Sequence, residues 1–216
     1  SAGFRESIQS QIYVDKTELI QHTNGVLRTA QKYICVSRPR RFGKSMAANM
    51  LTAYYSRGCD SKKMFQNLKI VQSADFEKHL NQYHVIRLNM RNYLTEAKTV
   101  QQLIQFIEED LLDELEQEFS ELRMPRRKTL VKVLEQAFAQ FRIPFVFVID
   151  EWDCIFRVHK NDLESQKLYL DFLRNLLKDQ SYVALAYMTG ILPIKKYGEH
   201  SAINVFYEYS MTDASP

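Results

Sequence analysis

Five consecutive apolar residues, Phe145-Val146-Phe147-Val148-Ile149, introduced by Pro144 and closed by Asp150-Glu151, constrain the fold of this chain more than any other stretch. Successive side chains of a strand point to opposite faces, so a run that is apolar at every position must be covered on both sides. Such runs belong to parallel sheets with helices on both faces. The run therefore predicts an inner strand of an α/β sheet. Its end carries two carboxylates, at the edge where open α/β sheets bind ligands. An ordinary strand ending in a solvated acidic turn has the same appearance, and a second signal has to decide between them.

That signal lies far upstream. The apolar run Tyr33-Ile34-Cys35-Val36 is followed by Arg38-Pro39-Arg40-Arg41-Phe42-Gly43-Lys44-Ser45 and a helix-compatible segment from Met46 to Arg57. A strand, a tight loop and a helix N-terminus ending in Gly-Lys-Ser suit a phosphate-binding loop. Backbone N–H groups and the helix dipole hold phosphate oxygens, Lys44 reaches the β- and γ-phosphates, and the Ser45 hydroxyl ligates Mg²⁺. Gly43 is the position least open to replacement, because the backbone must approach phosphate closely. The full pattern also asks for glycine five residues earlier, where this chain has Arg38, so alone the loop also fits a solvated basic turn. Together with the distant acids it points to one nucleotide site. Asp150 then holds the Mg²⁺ shell, and Glu151 orients or deprotonates the water that attacks the γ-phosphate.

The rest of the chain supplies strands and covering helices. His84-Asn89, Tyr182-Met188 and Asn204-Met211 are further strand candidates, giving five in all. Asn89, Arg91 and Asn92 are expected in a polar loop at the ligand edge. Apolar stripes over residues 47–54, 99–122, 129–141 and 163–177 predict amphipathic helices, the first stopping near Gly58. Residues 59–82 suggest short helices and turns. Asp15 with Glu18 marks a helix start in an arm over residues 1–31. Asp153 is expected as an exposed turn acid or a partner for a basic side chain. The fold expected is a three-layer αβα sandwich, one P-loop core with the arm in front and the sheet and helices over 32–212.

At this point the chain resembles a known family. Tyr13-Val14-Asp15-Lys16-Thr17, then Ser37 to Ser45, then Asp150-Glu151-Trp152-Asp153 and Thr189-Gly190 are similar to the AAA-ATPase-like family of predicted P-loop ATPases. The resemblance runs from about Tyr13 to Thr212. It implies a mainly parallel sheet of order 5-1-4-3-2, and it accounts for Arg38, since arginine commonly stands there in the family. By resemblance Arg38, Pro39, Arg40, Arg41, Phe42, Gly43, Lys44, Ser45 and Met46 cradle the nucleotide, while Tyr13, Asp15 and Thr17 become candidates for contact with adenine. Thr189, at the tip of the fourth strand, becomes the candidate sensor of the γ-phosphate or the attacking water. Arg38 is also free to point toward a neighbouring protomer or toward Asp153. Members usually carry a C-terminal domain resembling a PD-(D/E)XK nuclease; neither that domain nor a helical lid is expected within these residues.

ATP and Mg²⁺ are the cofactors expected, and no Asn-Lys-x-Asp guanine-reading motif occurs. The alternative is a nucleotide-gated binding module with little turnover. The acidic face of the helix over 99–122 is a solvated surface or a docking face for a protein partner or a second subunit. A net charge of +3 is too small to argue for nucleic acid, although Arg123 to Lys128 and Lys195-Lys196 are basic clusters. No run approaches the length of a membrane span, and the N-terminal residues lack an export signal. Cys35, Cys59 and Cys154 have no paired spacing and suit a reduced, cytoplasmic setting. The histidines show no metal-ligand pattern.

Overall fold

The computed structural model describes residues 2–9, 13–39, 41, 43–194 and 204–210. In chain order these form α1 (Ala2–Ile8), α2 (Glu18–Val26), β1 (Tyr33–Ser37), α3 (Lys44–Tyr55), α4 (Lys62–Phe65), a 3-10 turn (Lys69–Gln72) and α5 (Phe76–His79). There follow β2 (His84–Asn89), α6 (Met90–Glu96), α7 (Val100–Glu118), α8 (Leu130–Phe141), β3 (Phe145–Asp150), α9 (Cys154–Val158), α10 (Leu163–Leu177), β4 (Val183–Gly190) and β5 (Tyr207–Tyr209). The sheet order is β2-β3-β4-β1-β5, and all four pairings are parallel. Read from the other edge, this is the order expected.

The two faces of β3 show why its run is apolar throughout. Phe145, Phe147 and Ile149 face a core built with α7, α8 and α10, where Leu103, Ile107, Val133, Leu134 and Leu173 are buried. Val146 and Val148 face the opposite core, with Ala48, Leu51, Tyr54 and Tyr55 of α3 and Phe4 of α1. Burying one such side chain contributes roughly 1.5–3 kcal/mol, so the doubly covered strand anchors both layers.

Several boundaries differ from the expectation for local reasons. Helix α3 begins at Lys44, directly after Gly43 in the left-handed conformation, and ends before Gly58 with Ser56 as its C-cap. Ser56 instead bridges to Tyr83, leading toward β2. Residues 90–96 are helix α6 rather than a polar loop, because the Asn89 side chain accepts from Arg91 N at 3.1 Å and caps it. Helix α7 stops at Glu118, and Phe119 and Leu122 turn back into the core. The residue before α2 is Thr17, and Asp15 makes no cap to that helix. β5 is short; Glu208 holds it by accepting from Ser37 Oγ and Ile194 N, both at 2.9 Å. Met211, at the end of the expected fifth strand, lies outside the described residues, as do Lys195 and Lys196. Among the described residues no helix is long and apolar enough to cross a membrane.

Candidate nucleotide site

Parallel register puts the ends of four strands side by side: Asn89 pairs with Asp150, Val36 with Thr189 and Ser37 with Gly190. The loop after β1 continues this edge, with Arg38 N donating to Gly190 O at 3.1 Å. Gly43 then takes φ 76°, a left-handed conformation that a side chain disfavours, and Arg41 takes φ 69°. The turn delivers the first residues of α3 to the same edge. Arg40 and Phe42 lie outside the described residues. Pro39 and Arg41 are exposed, and Met46 is half-buried beside the loop, its Cε 3.6 Å from where a Cβ on Gly43 would stand.

Asp150 is the hub. Its Oδ2 accepts from Ser45 Oγ at 2.8 Å, and its Oδ1 accepts from Glu151 N at 3.0 Å and from Thr189 Oγ1. The carboxylate is 2% exposed and Thr189 is fully buried. Residues 45, 150 and 189, far apart in the chain, therefore meet in one hydrogen-bonded group. Thr189, the candidate sensor, donates its hydroxyl to that carboxylate. Among the described residues no cluster of three or more histidine, cysteine or acidic side chains could hold a metal ion. A hydroxyl and a single carboxylate fit Mg²⁺, a hard cation that keeps water and phosphate oxygens in its shell.

Lys44 Nζ donates to Arg38 O and Pro39 O, each at 2.7 Å, and so lies across the loop. Burial lowers its pKa, partly offset by Asp150, Asp153 and Glu151. Glu151 has φ 51° and turns its side chain toward two cations: Oε2 is 2.7 Å from Arg157 Nη2 and 3.6 Å from Arg91 Nη1. Asp153 is no exposed turn acid but fully buried. Its Oδ2 accepts from Ile191 N at 3.0 Å and Leu192 N at 2.9 Å, and it lies 3.3 Å from Arg157 Nε, close enough to attract but outside hydrogen-bond geometry. Arg157 thus joins the acid at the strand end to the acid that holds the turn after β4.

Beside the loop a cavity of about 230 Å³ is lined by Leu19, His22, Ile34, Val36, Tyr187 and Tyr209 together with Lys16, Arg38, Gly43 and Lys44. A largely apolar hollow with a few polar groups in its lining suits a flat heterocycle joined to phosphates. His22 Nε2 lies 3.0 Å from Tyr209 OH, and burial holds the imidazole pKa below its usual value. Of the arm residues singled out in sequence, Asp15 lines the cavity, whereas Thr17 is fully buried and Tyr13 is outside the lining. Burial, aided by Asp15, pushes the Tyr13 phenol up to about 12. Lys16, His22, Tyr209 and Arg157 were missed by sequence reasoning, whereas Arg91 had been placed at the ligand edge. Lys16 alone had a signal, its place inside the Asp15-Lys16-Thr17 string; the others reach the site only through packing.

A family model described as "Predicted AAA-ATPase", AAA-ATPase-like, matches residues 3–198. No curated protein matches the chain. Among solved structures, the crystal structure of Cdc6p from Pyrobaculum aerophilum is similar at 12% identity and a TM-score of 0.41, over 96% of this chain and 48% of that one. The chain spans about half the length of that structure.

Proposed function

The chain belongs to the AAA-ATPase-like family of predicted AAA-ATPases, and from that premise we propose that it binds ATP with Mg²⁺ and hydrolyses the γ-phosphoryl bond. The observation that carries the reading is the meeting of Ser45, Asp150 and Thr189 beneath the left-handed turn at Gly43. Base and ribose occupy the hollow beside α2, and the loop amides with Lys44 hold the phosphates. Ser45 and Asp150 hold Mg²⁺, which neutralises charge on the phosphate oxygens when bound. Thr189 acts through Asp150, fixing the orientation of its carboxylate. Glu151 accepts a proton from the attacking water as the new P–O bond forms, and the bond to the β-phosphate bridging oxygen breaks, releasing ADP. The nucleotide state is passed to a partner or a further domain, for which the exposed acidic face of α7 offers one surface.

Calorimetry with MgATP tests this. Lys44→Ala should abolish binding, while Glu151→Gln should retain it and slow turnover by roughly 10²- to 10³-fold. Unchanged ATP affinity in Lys44→Ala would overturn the assignment. A second reading, a nucleotide-gated module with little turnover, is favoured by one observation: Glu151 is held by Arg157 at 2.7 Å. Single-turnover hydrolysis separates the two. A burst of phosphate on mixing supports the ATPase, and bound ATP that persists for hours supports the module.

A further inference from the structure

We infer that Lys16, carried by the N-terminal arm, is a second phosphate-binding cation that shares the nucleotide with Lys44. The inference rests on the ATP-binding reading and adds to it a ligand from outside the phosphate loop. Lys16 and Lys44 line one cavity. The Lys16 ammonium lies so close to the phosphate loop that a Cβ on Gly43 would stand 3.0 Å from Nζ. The loop has no side chain at the point where the ammonium crosses it.

The residues on either side of Lys16 show that this placement is built. Asp15 Oδ1 accepts from Thr17 N at 2.8 Å and Thr17 Oγ1 at 2.7 Å, and Asp15 Oδ2 accepts from Lys69 N at 2.8 Å. Thr17 Oγ1 in turn accepts from Ile70 N at 3.1 Å. The backbone is thus tied on both sides of residue 16 to the 3-10 turn at Lys69–Gln72. Burial pushes the Asp15 pKa up, but the hydrogen bonds from Lys69 and Thr17 outweigh it and hold it below the usual value, so the staple is ionised near neutral pH. Glu18, the other acid of the lining, pairs with Lys69 Nζ at 3.2 Å.

Lys16, Arg38 and Lys44 line one hollow, so a polyanion entering it meets three cationic side chains. Within Asp15-Lys16-Thr17 the outer two residues are therefore the anchor and the middle one is the ligand. Asp15 and Thr17 position Lys16 and do not read the base.

The test is calorimetry with MgATP and, separately, with adenosine, on the whole chain and on Lys16→Gln and Lys16→Met. Both variants should weaken ATP by roughly 10- to 100-fold, the worth of a hydrogen-bonded charge, and leave adenosine binding unchanged. Lys16→Arg should recover part of the loss. Asp15→Ala should weaken ATP in the native chain and add little in the Lys16→Gln background, since a positioning residue has nothing left to position. Equal losses for ATP and adenosine would make the role structural, and unchanged or tighter ATP binding would show that the ammonium is idle or blocks the cradle; each result overturns the inference. If Lys44→Ala loses ATP and Lys16→Gln does not, only this inference falls. If the native chain binds no ATP, the functional reading falls with it.

Discussion

Gly190 ends β4 one residue after Thr189, and a methyl group there should disturb the fold at the point where the site is assembled. A Cβ at this position would lie 2.6 Å from Trp152 Nε1, 2.8 Å from Trp152 Cδ1 and 2.9 Å from Asp153 Oδ1. Ordinary contact is about 3.5 Å, so the indole must retreat by nearly 1 Å. It has little room, being fully buried with its ring edge-on to Phe156 at 5.5 Å. Asp153 cannot give way either, because Ile191 N, Leu192 N and Arg157 hold it. Overpacking of this kind costs about 1–3 kcal/mol, and the lower entropy of an unfolded chain with alanine offsets about 0.4–1. Gly190→Ala should therefore lose about 1–2 kcal/mol. Urea unfolding can follow the change through Trp152, the single tryptophan of the chain. Trp152→Phe removes the clashing edge. In the Gly190→Ala background it should then cost less than it does alone, measured by circular dichroism as a coupling in the double-mutant cycle. A Gly190→Ala protein as stable as the native one, or strictly additive costs, would refute the reasoning.

Other outcomes follow from the same contacts. Arg157→Met removes the cation beside a fully buried Asp153 and should cost about 3 kcal/mol, most of it recovered by adding Asp153→Asn; thermal unfolding of the two variants checks this. Burial, with Arg57 adding, pulls the His84 pKa down to about 4. The unfolded chain therefore binds a proton near pH 6.5 that the folded chain refuses until about pH 4, so stability present above pH 6.5 is lost as pH falls through that window. The expected loss is roughly 1–2 kcal/mol after allowance for the partial exposure of the ring, and a His84→Phe protein should show a flatter stability profile between pH 6.5 and 4. Gly43→Ala should abolish ATP binding while costing about 1 kcal/mol of stability, since it strains a left-handed residue and pushes on Lys16; calorimetry beside urea unfolding separates the two effects.

Much of the architecture was legible because it rests on local rules. The period-free apolar run of β3 demands cover on both faces, and the stripes of α7, α8 and α10 supply it on one side. Of the two readings of Asp153, the exposed turn acid fails and the partner for a basic side chain holds, because two amide groups and Arg157 enclose it and nothing local shows the former. The run of residues 90–96 was misread because the cap that starts α6 is the last residue of a strand, a double role that pattern alone does not show.

What the amino-acid sequence determined by itself was the inventory: a parallel α/β sheet, a Gly-Lys-Ser turn opening a helix, and an acidic pair at the end of a buried strand. These depend on side-chain period and backbone freedom, which are properties of neighbours in the chain. Only the tertiary structure decided how the groups are held. It paired Thr189 with Asp150, turned Glu151 to Arg157, and tied Asp15 and Thr17 to the 3-10 turn with Lys16 beside Gly43. Apart from Glu151 and Arg157, which are close in the chain, those pairings join residues tens of positions apart, so they arise only when the packed layers fix the distances between side chains.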